Sequence, residues 1–566
     1  MEPPEKPAPA VDVVGRHERL VLRTLLVSAL TLSSRLIGFA RESLSAFLFG
    51  DASAVNDAFV TAWRVPNLFR SLLGEGAMTT ALQTSLTRAD SEGGNEAGRR
   101  LFLAIVRFVG SLLLVLCAAS MIGVALLPDR MPVTGVAWLG AHPAAVRELT
   151  VRMLPFVVLV CLSAVCSGAL NVRGHFLSPS LAPVVMNVWW ISALLIVANR
   201  FGWRRPAGAD DAAELARQLE MARWLAGFVL VAGAILLLVQ LPALLSTGLL
   251  RGPPRPEGAP RIPTREVVDV LWASAPLALG AAVYQINLMI DGLLAVGLLD
   301  PGGASVLYYA TRVQQFPMSL VSIAATSAVF PVLTALGQQR QLSSVRALHD
   351  RTQHAIAFVA MPASIGLLAF AEPIVTVIFR HGAFGEAGVL RAAAGLRCLS
   401  LAILPAGAAG LVARTFYALG DFWTPVRVSV AMLLANVALT LVFVLGFRMD
   451  VAGPTLATAL TAWGNLLLLA PGLHRKLGLP APAADLYRRL GRVALASVAS
   501  ALLARGLFQL LERDPRSPIA LLVSIASSVA LFAGFSHFLR IPEWGHLVRR
   551  VLGPGGEFPG GSGQCN

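Results

Sequence analysis

The sequence predicts an all-α polytopic membrane protein of about fourteen transmembrane helices, arranged as two six-helix lobes plus an extra helix pair. Three observations predict it. Of 566 residues, 56% are hydrophobic and only 14% charged, against about a quarter charged in an ordinary soluble protein. The apolar residues fall in blocks of roughly twenty or more, the length that crosses hydrocarbon as a helix. The two-residue alternation of an outer-membrane barrel is absent.

The first 19 residues are polar and Pro-rich and read as a cytoplasmic tail. The block after them ends in arginines with no small-residue cleavage signature, so it reads as a retained first helix rather than a signal peptide. The fourteen blocks lie near 20–48, 57–87, 100–127, 149–171, 180–199, 222–247, 268–299, 303–336, 353–379, 389–418, 424–446, 452–472, 486–511 and 517–540. A polar link of mixed charge, 200–221, separates the fifth and sixth. The segment 248–267 carries Pro253, Pro254, Pro256 and Pro260 with four arginines. It reads as a basic linker between an N-lobe (20–247) and a C-lobe (268–472). Residues 473–540 hold helices 13 and 14, and 541–566 form a Gly-rich cytoplasmic tail whose end, Gly553 to Asn566, reads as disordered.

The net charge of +14 comes mainly from arginine. In a soluble chain it would point to nucleic acid. Here it lies largely in short loops, where it reports topology. The termini and even-numbered loops hold roughly twenty-three Lys and Arg and the odd-numbered loops roughly thirteen, which places both termini in the cytoplasm. Cys117, Cys161, Cys166, Cys398 and Cys565 have no zinc or redox spacing and read as small packing residues.

Arginines inside the first two blocks are the chemical signal. Ser34-Arg35-Leu36-Ile37-Gly38-Phe39-Ala40-Arg41 lies in block 1, and Arg64-Val65-Pro66-Asn67-Leu68-Phe69-Arg70 in block 2. At about 100° per residue, Ser34 and Arg41 share a helix face, with Arg35 about 120° away. Arg64 and Glu75 fall within about 20° of each other on block 2. Asp57 opens that block. An arginine in hydrocarbon costs at least a few kcal/mol, so a chain that keeps several has a use for them. A guanidinium fork suits phosphate because it binds two oxygens at once. Two other readings fit the same residues: snorkelling to the headgroups, which suits Arg23 and Arg64, and ion pairing with Glu75, Asp57 or Glu42.

The halves invite comparison. Block 2 has Arg64, Pro66 and Arg70; block 8 has Tyr308-Tyr309-Ala310-Thr311-Arg312 and then Gln315-Phe316-Pro317. Block 1 has Gly38; block 7 has Pro276 and Gly280. Matching helix interruptions in two halves mark transporter sites. Block 7 also carries Gln285, Asn287 and Asp291, and block 11 carries Asn436 and Thr440 one turn apart. Asp291, Asn436 and Thr440 could hold Na⁺ or a proton, or act as polar glue between helices. No DDxxD, GxSxG or Walker sequence occurs, so the chain reads as a transporter and not an enzyme, without a cofactor or metal and powered by gradients or supply.

The block 1 and 2 motifs, with Asp57-Ala58-Phe59, Gly74-Glu75-Gly76-Ala77, Tyr308 to Arg312 with Phe316-Pro317, and Arg414-Thr415-Phe416-Tyr417-Ala418 with Asp421 and Thr424-Pro425, resemble the MurJ/MviN lipid II flippases. That family lies within the multidrug/oligosaccharidyl-lipid/polysaccharide exporter superfamily, and the resemblance spans about residues 20–540. It implies alternating access of two lobes around a cationic cavity, with helices 13 and 14 forming a groove for the lipid tail. It implies that Arg35, Arg41, Arg70 and Arg312 engage the diphosphate and headgroup, and that Asp57, Arg64 and Glu75 are cavity or gating charges. Thr311 departs from the acidic residue often found there. The implied substrate is lipid II, undecaprenyl-diphosphate-linked disaccharide-pentapeptide, carried across the bacterial inner membrane. Implied partners are membrane lipids and the cell-wall synthesis machinery, with no nucleic acid. The competing expectation is a multidrug, polysaccharide or small-metabolite exporter of the same superfamily. A membrane-embedded transferase would need a carboxylate or metal site that no motif supplies.

Overall fold

A computed structural model of the chain describes residues 10–74, 77–128, 140, 142–206, 210–251, 268, 283–326, 329–478, 484–512, 514 and 516–552. Among the described residues the chain is helical throughout, with no strand. It forms two compact units, Met1–Gly297 and Leu298–Asn566. Most of the 248–267 linker, the tail end 553–566, Pro276, Gly280 and Glu75 lie outside the described residues.

The first unit contains α1 (Ala10–Phe49), α2 (Ala54–Gly74), α3 (Ala77–Ala125), α4 (Pro143–Met153), α5 (Phe156–Val172), α6 (Leu177–Phe201), α7 (Asp211–Ser246) and α8 (Val283–Leu298). Helix α1 starts at Ala10, about three turns before its apolar block predicts. Helix α7 likewise takes in much of the polar 200–221 link. The Asp210 carboxylate accepts from the Ala213 N–H at 2.7 Å, and Asp211 and Glu214 sit in the first turn, where they complement the helix dipole. Helix α3 bends at Gly94, whose φ of 70° with ψ of −177° lies in a region reserved for glycine.

Helix α1 packs on α6, α2 on α4 and α5, and α7 on both α5 and α6. An aromatic knot ties three of these together: Trp63 of α2 meets Trp190 of α6 at 4.9 Å and Phe156 of α5 at 5.3 Å between ring centroids. Between α5 and α7 the buried Gln240 amide donates to Ser163 Oγ at 2.6 Å and accepts from Ser167 Oγ at 3.1 Å. Such a bond is the usual way to bury an amide between membrane helices. Leu114, Val115 and Ile122 of α3 stay exposed, as lipid-facing positions do.

The second unit contains α9 (Gly303–Thr326), α10 (Val329–Gln338), α11 (Leu342–Phe379), α12 (Glu386–Ser400), α13 (Ile403–Ala418), α14 (Trp423–Leu441), α15 (Ala452–Leu477), α16 (Ala484–Leu511), α17 (Pro518–Phe538) and α18 (Pro542–Leu552). A short π-helical turn, Val442–Gly446, continues α14. Helix α11 is the hub, touching α9, α12, α13 and α16. Block 10 is split into α12 and α13, bent by 40°. The cause is Pro405: it has no N–H to offer the carbonyl of Leu401, so the ladder opens there. Helix α18 carries regular structure into a segment expected to be only a Gly-rich tail.

Helices α16 and α17 pair with each other and lean on α11. Phe370 of α11 sits among Ala504, Phe508, Ala520 and Leu521, and Phe358 among Val493, Ala496 and Ile541. Small residues on the inner face of α16 allow that close approach. Its other face presents Leu495, Leu502, Leu503 and Leu510 outward.

Nine helices among the described residues are long and apolar enough to cross a membrane, or ten when the bent pair α12–α13 is one span. The figure falls below fourteen partly for a chemical reason. Helix α2 carries Asp57, Arg64 and Arg70 within 21 residues, too many charges for an ordinary span. Block 7 is described only from Val283 onward, apart from Val268. The chain is a multi-pass helical membrane protein.

Candidate functional site

Arg41, Arg64 and Arg70 are each held in a different way. Arg41, with 12% of its side chain exposed, pairs through Nη2 with Glu42 and donates from Nη1 to Asn187 Oδ1 at 3.1 Å. Its guanidinium carbon lies 4.9 Å from the centroid of the Trp190 ring, a cation–π distance. Ser34 lies on the same face, as the seven-residue spacing predicts, and Asn187 bonds it too. Arg35 is half-buried.

On α2, Asp57 is buried at the start of the helix. Arg64 reaches from α2 to α8 and donates from Nη1 to the Leu288 carbonyl oxygen at 2.7 Å. That position is internal, so the snorkelling reading of Arg64 gives way to a helix–helix bond. Arg70 directs Nε and Nη2 at Asn67 Oδ1, 3.2 and 3.1 Å away. Glu75, expected on the Arg64 face, lies outside the described residues.

A cavity of about 120 Å³ opens beside Arg64, lined by Thr61, Leu127, Val146, Arg147, Met289 and Leu293 among others. Its walls are apolar, formed largely by aliphatic stems. Arg147 donates from Nη1 to the carbonyl of Leu127, a neighbour in the same lining, at 3.1 Å.

In the second unit, Arg312 of α9 donates from Nη1 to Gln315 Oε1 at 3.0 Å and stacks over Tyr308, 4.8 Å from the ring centroid. Thr311 spends its hydroxyl on the Leu307 carbonyl at 2.8 Å. The parallel with Arg70 is chemical: each guanidinium is met by a carboxamide oxygen three residues away. An amide oxygen orients a guanidinium without cancelling its charge.

The three residues considered for an ion lie in different units. Asp291 is buried on α8 and accepts from Asn287 Nδ2 at 3.0 Å. Asn436 is buried on α14, its Nδ2 donating toward Thr458 Oγ1 at 3.2 Å. Thr440 is fully buried, and its hydroxyl has no hydrogen-bond partner among the described residues.

Asp421 heads α14. Its carboxylate accepts from the Thr424 N–H at 3.0 Å and the Thr424 hydroxyl at 2.7 Å, and it pairs with Lys476 of α15. Burial alone would raise this carboxyl; the bonds from Lys476 and Thr424 outweigh it and hold it down, from 3.8 to about 2.

Sequence reasoning did not single out Asn187 or Trp190, and it quoted Asn67 and Gln315 within motifs without giving them a role. Asn187 had a legible signal, an amide in the middle of the apolar block 180–199. The Leu288 carbonyl had none, because a backbone acceptor leaves no mark on a sequence.

Comparison with known proteins agrees with this architecture. Residues 45–512 match the family described as lipid II flippase MurJ. A protein of Burkholderia cenocepacia named "Lipid II flippase MurJ" is 32% identical over 475 residues, covering 81% of this chain and 84% of that one. One from Vibrio cholerae named "Probable lipid II flippase MurJ" is 30% identical over 466 residues, with 81% and 83% covered. Among solved structures, a lipid II flippase MurJ in an inward closed conformation superposes with a TM-score of 0.68 at 19% identity, covering 94% of this chain and all of that one. An inward-facing multidrug transporter of the MATE family superposes at 0.59 with 13% identity, covering 80% and 98%; at these identities the likeness concerns the fold. By its family match and its relatives, the chain belongs to the MurJ lipid II flippase family.

Proposed function

We propose that this chain carries lipid II from the inner to the outer leaflet of the bacterial cytoplasmic membrane, with both termini in the cytoplasm. The observation that carries the reading is the family match across residues 45–512, a span that contains Asp57, Arg64, Arg70 and Arg312. The physical task is to move a sugar-peptide-diphosphate through hydrocarbon. A diphosphate stripped of water there needs compensating charge. Arg35, Arg41, Arg70 and Arg312 supply it, as fixed cations that bind phosphate oxygens in pairs. Asp57, Arg64 and Glu75 act as cavity or gating charges. The polyprenyl tail stays in lipid and runs along α16 and α17. Alternating access of the two halves changes the leaflet that the headgroup faces. Asp291 in one unit, and Asn436 and Thr440 in the other, are the candidate residues for coupling to Na⁺ or H⁺. The cell-wall synthesis enzymes that consume lipid II on the outer face are its functional partners.

Depletion of the protein in its native bacterium, with lipid II measured in each leaflet, tests this reading. Lipid II should accumulate in the inner leaflet. An unchanged distribution would overturn it, and altered drug efflux in its place would favour the exporter alternative.

A further inference from the structure

One residue of α6 reads the face of α1 that carries Ser34 and Arg41. Asn187 is 7% exposed. Its Nδ2 donates to the Ser34 carbonyl oxygen at 3.0 Å and approaches Ser34 Oγ at 3.2 Å. Its Oδ1 accepts from Arg41 Nη1 at 3.1 Å. A backbone carbonyl only accepts, so the amide nitrogen must face Ser34 and the oxygen must face Arg41. The carboxamide is thereby fixed in one orientation.

One turn further along α6, Trp190 presents its ring to the same guanidinium. Trp190 is itself held edge-on by Trp63 at 4.9 Å and Phe59 at 6.5 Å. Arg41 therefore meets an amide oxygen, an aromatic face and the Glu42 carboxylate. Of these, only Asn187 ties the guanidinium to a fixed point of α1's own backbone.

We infer that Asn187 is a positioning residue: its Ser34-anchored carboxamide aims the Arg41 guanidinium at the anionic headgroup. The inference rests on the reading of Arg41 as a headgroup ligand. A leucine at 187 would fill the space and pair the helices equally well in lipid, but would leave Arg41 without this acceptor. An aspartate would keep an acceptor yet set a carboxylate against the Ser34 carbonyl and offer Arg41 a competing anion. Beside the Glu42 carboxylate, the amide orients the cation without adding a second anion.

The test uses the full chain in vesicles and two probes, lipid II and undecaprenyl diphosphate, whose headgroup is the diphosphate alone. Asn187→Leu should weaken binding of both by about tenfold or more, as loss of a hydrogen bond to a charged group predicts. Asn187→Asp, close to isosteric, should lose at least as much. In an Arg41→Ala background, Asn187→Leu should have no further effect on affinity. An equal loss in both backgrounds would show that Asn187 only packs α6 on α1, and the proposal falls. So it does if Asn187→Asp binds both probes like the parent protein, which decides the matter even if Asn187→Leu fails to fold. Should Arg41→Ala alone bind both probes normally, the reading of Arg41 fails, a result separate from either of these.

Discussion

Arg64 of α2 donates to the carbonyl oxygen of Leu288 in α8 at 2.7 Å, across 224 positions of sequence. The bond is possible because of Gly292, one turn later on α8. A Cβ there would lie 2.2 Å from Arg64 Nε and 2.4 Å from Cδ and Cζ. The guanidinium stem thus runs over a glycine to reach a backbone acceptor.

Gly292→Ala should therefore expel Arg64 from its seat. Overpacking of this kind destabilises by about 1–3 kcal/mol. Thermal melting of the purified protein should fall accordingly. Adding Arg64→Ala should recover part of the loss, because the clash is with that side chain. If Gly292→Ala melts like the parent, the close approach is wrong.

Arg41→Ala, Arg70→Ala and Arg312→Ala should each abolish complementation of a depleted strain while protein levels stay near normal. Arg→Lys at each should rescue in part, since charge remains and the planar fork is lost. Normal growth with all three alanine variants would remove the arginines from the transport mechanism.

Much of this was legible in the sequence, and the limit is physical. Helix class and most blocks follow from hydropathy, because a lipid-facing helix such as α17 is apolar on every side. The shared face of Ser34 and Arg41 followed from helical period alone, and one residue, Asn187, contacts both. The partner itself did not follow, since the period fixes directions within α1 and says nothing of α6. The α12–α13 break hid in block 10 because Pro405 reads as an ordinary membrane proline until its effect on Leu401 is seen. Fourteen spans were counted from apolar blocks, yet α2 is charged enough to fail as an ordinary membrane span while still folding as a helix.

Asp291→Asn should alter the ion dependence of transport if Asp291 takes part in coupling. Flipping rates across Na⁺ and pH series would be compared with those of the parent. The same variant at unchanged ion dependence would assign Asp291 and its Asn287 bond to helix packing.

Asp421 should make stability depend on acidity. Its carboxyl sits lower in the folded chain, at about 2, than its ordinary 3.8. The ionised, bonded form thus favours the fold above about pH 4, and that contribution disappears as pH falls toward 2. Melting measured from pH 5 downward should drop more steeply for the parent than for Asp421→Asn. Lys476→Met removes one of the bonds holding the carboxyl down, so it should move the drop to higher pH.

The last expectation concerns the lipid tail. Ala496 and Ala499 are small residues near one another on α16, and spacing alone makes both candidates for a groove floor. The structure separates them. Ala496 is 1% exposed and sealed against Phe358 of α11, whereas Ala499 is only half-buried. Ala496→Leu should therefore destabilise the fold by about 1–3 kcal/mol through overpacking, lowering melting and transport together. Ala499→Leu should leave melting nearly unchanged. A polyprenyl chain gains little from protein contact in lipid, because lipid tails are equally apolar. The groove then guides the tail more than it binds it. Ala499→Leu should slow flipping of full-length lipid II and spare binding of a short-chain analogue. If both are lost equally, α16 is structural and the tail takes another route.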